Sequence, residues 1–359
     1  MVRMPLRIWT CNVVLSAIAL ASGQDLMREL DAPVNPRSGI PCPDPVRFSL
    51  LRPDPPGRPT TVALGMMLYD ISALNDVDQT MTADVMIVLR WKDARLADPL
   101  RAEGSADCAV PERLLWMPTL EADNLRSRQQ FYEAHFLVNA TGVVTLARRM
   151  LIQVSYPLDF RDFPFDRHTW RFTVWPAVSR ADEIVFHATP RLTNRNEHFS
   201  IQGWSVGRPE PSAAIDNRAG RFGSYARFDV STEVRRDWVY FAWKLGVPLT
   251  LIVLMGYTVY FIPSTAVPQQ VAMGMTSMLT LIAYMLALGN SLPKITYLTR
   301  ADKFFIGSAL LVFLGLLKAV LTTMWVQREN KRAIQASERL GRWLYPAGML
   351  ANMMNAFIR

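Results

Sequence analysis

Along the first two thirds of the chain, apolar residues gather in short β-type runs broken by turns. Along the last third they run almost unbroken. The β-type runs are 61–71, 83–91, 130–138, 142–154, 168–175, 182–189 and 226–234. A period of two puts alternate side chains on opposite faces of an extended strand. Short strands at this spacing, with turn signals at 74–78 and 139–142 between them, predict an all-β, immunoglobulin-like sandwich. The unbroken runs predict membrane helices at about 238–262, 267–292, 303–326 and 343–358, the last near the lower length limit for crossing. Short loops between them make neighbouring helices antiparallel in a four-helix bundle.

The second of these runs is unusual. Steps of four and three from Ala272 collect Thr276, Leu279, Ala283, Leu286 and Asn290, and Pro268 lies one step earlier. Such steps keep to one side of a helix. The stripe is small or polar at both ends, while Val271, Met275, Met278, Leu281, Ile282 and Met285 cover the other faces. One reading is a pore-lining helix, wet on its stripe. The other is a helix buried in a membrane bundle, with small residues for close packing.

The ends and the charges set the topology. Residues 1–23 have a basic start, a short apolar core and small residues, which predicts a signal peptide. Nine prolines in 24–60 predict an extended lead-in. The sandwich is expected over 61–236, exported to the periplasmic or extracellular side of the cell (inner or plasma) membrane, and the pore domain over 237–359. In 327–342, Arg328, Lys331, Arg332, Arg339 and Arg342 outnumber Glu329 and Glu338, which marks that linker as cytoplasmic. The chain has 359 residues and a net charge of +8, but its arginines are scattered without a basic aromatic stripe, against nucleic-acid binding. Cys11 leaves with the signal peptide, and Cys42 and Cys108 remain in a compartment that permits a disulfide; the sequence leaves open whether they bridge. No metal-ligand spacing, phosphate loop or nucleophile elbow occurs, so neither an enzyme nor a cofactor is expected.

Local motifs then converge. Trp91, Asp93, Arg95 and Leu96 resemble the Trp-x-Asp-x-Arg-Leu strand of the pentameric ligand-gated ion channels, the Cys-loop receptor superfamily. Trp116 and Pro118 are similar to the Trp-x-Pro segment that follows, and Phe163, Pro164, Phe165 and Asp166 to the tip of the signature loop. Arg236 matches the arginine at the domain junction, Pro248 the kinking proline of the first span, and 291–294 the loop after the pore helix. The stretch 268–279 resembles an anion-channel pore entrance, except that Gln270 stands where an arginine is usual. The motifs run in family order from about residue 61. One departure is clear: the two cysteines that usually close the loop are Tyr156 and Trp170, so packing must hold it.

The resemblance implies a homopentamer in a lipid bilayer that binds a small extracellular ligand and passes ions. Thr276 would form a hydroxyl ring and Leu279 an apolar gate, extended by Ala283 and Leu286. Tyr156, Phe163, Pro164, Phe165, Asp166, Trp170, Arg236, Pro293 and Lys294 would couple the domains. No Asp or Glu occurs from 239 to 301, and Lys244, Lys294 and Arg300 lie nearby. Anion (chloride) conduction is therefore expected, with a cation-selective channel or a non-conducting ligand sensor as alternatives. The family's agonist pocket maps onto Met86, Asp123, a position two residues out of register with Trp175, and a capping loop with Phe222 and Tyr225 near its end. Glu121 and Asp123 could pair with a cationic ligand and Trp175 and Tyr225 could give cation–π contacts; the alternative is a surface acid and core aromatics. Acid gating is a further idea, from His168 beside the loop.

Overall fold

The alternating segments become strands and the unbroken ones helices in a computed structural model that describes residues 25–28, 30–31, 42, 49–97, 107–131, 135–217, 223–289 and 295–357. The strands are β1 (Thr60–Asn75), β2 (Thr80–Lys92), β3 (Cys108–Pro111), β4 (Leu120–Ala122), β5 (Leu125–Gln130), β6 (His135–Val138) and β7 (Val143–Ser155). They continue as β8 (Arg167–Pro176), β9 (Ile184–Ala188), β10 (Asn194–Arg195), β11 (Trp204–Val206), β12 (Glu210–Asp216) and β13 (Tyr225–Arg236). The larger sheet runs β10-β1-β2-β7-β6-β3, with β9 also on β1 and β5 also on β7. The smaller runs β11-β13-β8-β4, with β12 also on β13. The turn signals do their expected work. The Asn75 side chain accepts from the Val77 and Asp78 amides, and that of Asn139 from the Thr141 and Val143 amides. Gly142 takes the positive φ of 82° that closes the second hairpin.

Alternation decides what each strand buries. On β8 the side chains of His168, Trp170, Phe172 and Val174 are buried, and those of Arg167, Thr169 and Arg171 are exposed. On β13 the inward set is Ala226, Phe228, Val230, Thr232, Val234 and Arg236. Both inward sets end, at the same end of the sheet, in a group that can carry charge. In the core, Trp91 meets Trp116 and Phe136 edge to face at 5.7 and 5.6 Å.

The helices are α1 (Trp238–Tyr260), α2 (Val267–Gly289), α3 (Arg300–Gln327) and α4 (Lys331–Phe357). Among the described residues, α1, α2 and α3 are long and apolar enough to cross a membrane. Asp237 caps α1 by accepting from the Val239 amide, and the helix widens into a π turn over Ala242–Gly246 just before Pro248. Proline has no N–H to offer that turn. Thr299 and Asp302 form a capping box that starts α3.

Two expectations need revision. The basic stretch 331–342 is not a linker but the first three turns of α4. Its Lys, Arg, Gln, Glu and Ala are good helix formers, so the helix continues where the apolar pattern stops. The proline-rich lead-in is not wholly unpacked: Leu30 is buried against Ala63 and Val143, and Arg90 donates to its carbonyl at 2.6 Å. The signal-peptide segment 1–23 lies outside the described residues.

The question left open by the cysteines is answered. Cys42 and Cys108, 66 residues apart, form a disulfide with a Cα–Cα distance of 4.9 Å. Closing so long a loop restricts the unfolded chain, by about 4 kcal/mol in the loop-entropy relation. Replacing both cysteines by serine is expected to lower the thermal midpoint of the purified protein by several degrees. An unchanged midpoint would show that the bridge contributes no stability.

Candidate functional site

The junction between the sandwich and the helices is built on one guanidinium. Arg236 closes β13 at an inward-facing position, where alternation calls for an apolar side chain, and is 4% exposed. Its Nε donates to Asp166 at 2.9 Å, its Nη2 to the same carboxylate at 3.1 Å and its Nη1 to Asp76 at 2.8 Å. Its flat face lies 4.1 Å from the Trp204 ring centroid, with Phe163 at 5.1 Å and Phe241 at 5.3 Å. Asp166 is 1% exposed and also meets His168 Nε2 at 2.6 Å. Burial alone would raise the pKa of Asp166. The hydrogen bonds from His168 and Arg236 and their charges outweigh it and hold the group below its ordinary value. For Arg236, burial lowers the pKa but the contacts with Asp76 and Asp166 raise it further, so it stays charged.

The loop that carries Asp166 reaches the helices on three sides. Phe163 meets Phe241 of α1 at 5.1 Å, and Phe165 meets Trp238 of α1 at 5.5 Å and Phe357 of α4 at 5.6 Å. The segment that enters α3 is bound more directly. Arg300 donates to Asp162 at 2.8 Å, Tyr297 accepts from the Phe160 amide, and the Ala301 amide donates to the Phe163 carbonyl. The Phe163–Pro164 bond is cis. Tyr156 and Trp170 are both buried, but each packs elsewhere: Tyr156 on His168 and Trp170 on Phe172. Burial and then the Asp166 charge push the Tyr156 hydroxyl up. Pro293 and Lys294 lie outside the described residues.

At the other end of the smaller sheet, its outward face encloses a cavity of about 680 Å³. Glu121, Asp123, Trp175 and Tyr225, four of the residues singled out from sequence, line it together. Residues missed from sequence complete it: Arg171, Thr173, Asp216, Arg227 and Asp229. Their signal was the alternation itself, since Tyr225, Arg227 and Asp229 are successive outward positions of β13. Arg227 is committed to Asp229 at 2.8 Å and Asp216 at 3.0 Å. Glu121 and Asp123 make no ion pair among the described residues. Phe222 lies outside the described residues. Met86 is not in this cavity. It sits on the larger sheet opposite Arg149, which holds Asp84 with two nitrogens and stacks 4.1 Å from the Tyr69 ring.

The α2 stripe is open. Pro268, Ala272, Thr276, Leu279, Ala283 and Leu286 are exposed, Leu279 at 70% and Leu286 at 72%. The opposite side, Gln270, Gly274, Ser277, Leu281 and Leu288, is buried. Gly274 lets α3 approach so closely that a Cβ there would lie 3.1 Å from the Leu316 Cα. Gln270 does not face the stripe: its amide donates to the Ile262 carbonyl and accepts from the buried Lys318 at 3.2 Å. Asn290 lies outside the described residues.

The family model for the neurotransmitter-gated ion-channel ligand binding domain matches residues 48–209, and that for the neurotransmitter-gated ion-channel transmembrane region matches 245–347. The chain belongs to this family, the pentameric Cys-loop superfamily. It is a multi-pass membrane protein with an extracellular ligand-binding domain, and the family's members are ligand-gated ion channels rather than enzymes. The proton-gated ion channel of Gloeobacter violaceus is 24% identical over 86% of each chain. The gamma-aminobutyric acid receptor subunit beta-4 of Gallus gallus is 25% identical over 81% of this chain, and subunit rho-3 of Homo sapiens 23% identical over 81%. The match spans 61% and 64% of those two receptor subunits' own lengths.

Arg236→Gln leaves Asp166 buried without its cation, which is expected to cost about 3–5 kcal/mol of stability. The depressed pKa of Asp166 stabilises the fold above the unfolded carboxylate value of about 4. That stabilisation is lost as pH falls through the folded value. Asp166→Asn should therefore lower stability at neutral pH and flatten the acid limb of a stability–pH curve. An acid limb identical to the parent's would mean that Asp166 does not carry that linkage.

Proposed function

We propose that five copies of this chain surround a pore lined by α2, and that a small cationic ligand at the outward cavity opens it to anions. The observation that carries the reading is the α2 stripe, exposed in the single chain while the opposite face is packed. An exposed semi-polar stripe on a membrane helix needs water. A non-conducting sensor has no use for it. Thr276 supplies a hydroxyl ring, and Leu279, Ala283 and Leu286 an apolar constriction that stops ions by dewetting. The Thr276 hydroxyl already donates back to the Ala272 carbonyl at 2.8 Å, so its oxygen is left to accept from pore water.

Charge placement supports anions. No carboxylate occurs from 239 to 301. Lys318, buried in α3, touches the base of the pore helix through Gln270 and the end of α1 through the Val259 carbonyl at 3.5 Å. A cation held in the membrane beside the pore raises its potential and disfavours cations. A cation-selective channel remains the alternative, and a reversal potential separates the two. Leu279→Ser hydrates the apolar ring and should produce a leak without ligand that reverses at the chloride potential. Reversal at the sodium or potassium potential would overturn the selectivity. No leak from well-expressed protein would overturn the pore assignment.

The cavity favours an amine. Two carboxylates that make no ion pair among the described residues, Glu121 and Asp123, line the same cavity as Trp175 and Tyr225. A carboxylate with two aromatic faces is the chemistry that holds an ammonium group. Met86, with Tyr69 and Arg149, would face that space from the neighbouring copy. A second reading, proton activation, is supported by the buried His168–Asp166 contact. Asp123→Asn and Trp175→Ala should each raise the half-maximal concentration of an activating primary amine about tenfold. Current evoked by acid alone, abolished by His168→Gln and untouched by Asp123→Asn, would favour the proton instead.

A further inference from the structure

Two of the membrane helices, α1 and α4, have a proline in their interior, Pro248 and Pro346. Proline offers no N–H to the carbonyl four residues earlier. In α1 that carbonyl belongs to Lys244, within the π turn that precedes Pro248. In α4 it belongs to Arg342. Each of these carbonyls accepts instead from a tyrosine of another helix. The Tyr284 hydroxyl of α2 donates to Lys244 at 2.8 Å, and the Tyr257 hydroxyl of α1 donates to Arg342 at 2.8 Å. Tyr284 also reaches the Leu245 carbonyl at 3.3 Å, and its ring lies 6.1 Å from that of Phe305 in α3.

The two bonds are alike in chemistry but not in place. Tyr257 joins α1 to α4, neither of which carries the stripe. Tyr284 joins α1 to the striped helix, roughly 7.5 Å along its axis from Leu279 and between Ala283 and Leu286. Among the described residues, no other side chain hydrogen-bonds α1 to α2. At the α1 end, Lys244 follows closely on Phe241, which meets Phe163 of the long loop at 5.1 Å. A path thus runs within one subunit from the Arg236 junction to the gate, through Phe163, Phe241, the π turn and Tyr284.

We propose that the Tyr284 hydroxyl is a positioning group for gating, which holds the pore helix back against α1 and so favours the open pore. The inference rests on the pore reading of α2 and is independent of the ligand and the permeant ion. Its sign follows from the packing. The stripe is exposed, whereas Tyr284 is half-buried on a different side of the helix. A bond from that side to α1 restrains α2 away from the pore axis. The bond is directional, and in a water-poor site a carbonyl without a helical donor has few other partners. Without the hydroxyl, the upper half of α2 leans inward and the Ala283 and Leu286 rings narrow.

The test is the ligand-free leak of the full-length Leu279→Ser channel, normalised to surface protein. Adding Tyr284→Phe keeps the ring and removes only the hydroxyl. The leak should fall at least about threefold, the scale of one hydrogen bond. Adding Tyr257→Phe instead removes an equivalent bond from an equivalent carbonyl. It should lower the thermal midpoint as Tyr284→Phe does, yet leave the leak unchanged. Pro248→Ala returns an N–H to the Lys244 carbonyl and should restore most of the leak lost in Tyr284→Phe. Should Pro248→Ala not assemble, the contrast between the two tyrosines decides. A leak untouched by Tyr284→Phe overturns the proposal. So does an equal loss in Tyr257→Phe, which would mean a general loosening of the helices. No leak from Leu279→Ser alone overturns the pore reading itself, and the role of Tyr284 falls with it.

Discussion

The buried guanidinium of Arg236 is the constraint on which the rest of the molecule turns. It stands between a domain that folds by excluding water and one that sits in lipid, and belongs fully to neither. A charge taken out of water is costly, and only close geometry repays the cost. Here repayment comes from three separate parts of the chain: Asp76 in the first hairpin turn, Asp166 at the tip of the long loop, and the rings of Trp204, Phe163 and Phe241. Because no one of them suffices, the arginine forces all of them to meet. An apolar side chain at that position could pack as well, but would not fix which turn faces which helix.

The two domains leave different surfaces because they answer to different solvents. The strands alternate, and their outward positions are charged or polar. The helices cannot alternate, so α1, α2 and α3 present large apolar side chains outward, among them Leu251, Leu310 and Leu279. Most of these need lipid or a neighbouring helix. The α2 stripe differs because its exposed residues are small or hydroxylated around isolated leucines.

Much of this was legible in the sequence because periodicity is read directly from residue order. The long strands and the helices follow from it, and so does the stripe. The strands β3, β4, β5, β10, β11 and β12 were not foreseen: four of them have two to four residues and no measurable period, β5 is almost wholly polar, and β12 occupies part of the stretch 209–224 that was read as a capping loop. The start of α4 was missed because the apolar run begins only near Trp343, while helix propensity already favours a helix over 331–342. At the junction, Asp166 and Arg236 were found through motif resemblance, but Asp76, Asp162 and Tyr297 were not, since their partners lie 160, 138 and 137 residues away in the chain. In the outward cavity, Arg227 and Asp229 were within reach of the alternation argument. Treating that stretch as core strand hid its outer face.

The outward cavity and the junction lie on the same two strands. Trp175 and Tyr225 stand at one end of β8 and β13, and Asp166 and Arg236 at the other. The strands stay in unbroken register from Phe228 and Val174 to Arg235 and Arg167. At 3.3 Å per residue, β13 spans roughly 36 Å. A hydrogen-bonded ribbon of that length resists shear along its strands better than bending across them. Closure of the cavity on a ligand would therefore reach the junction as a tilt of both strand ends together. Asp166 and Arg236 would move as one bonded unit, and their contacts with α1 and with the segment entering α3 would carry the displacement onward. The ion pair need not break for the signal to pass. What the proposed channel requires is that the pair hold, so that the edge-to-face contact of Phe163 with Phe241 and the ion pair of Arg300 with Asp162 pass the displacement to α1 and to the start of α3.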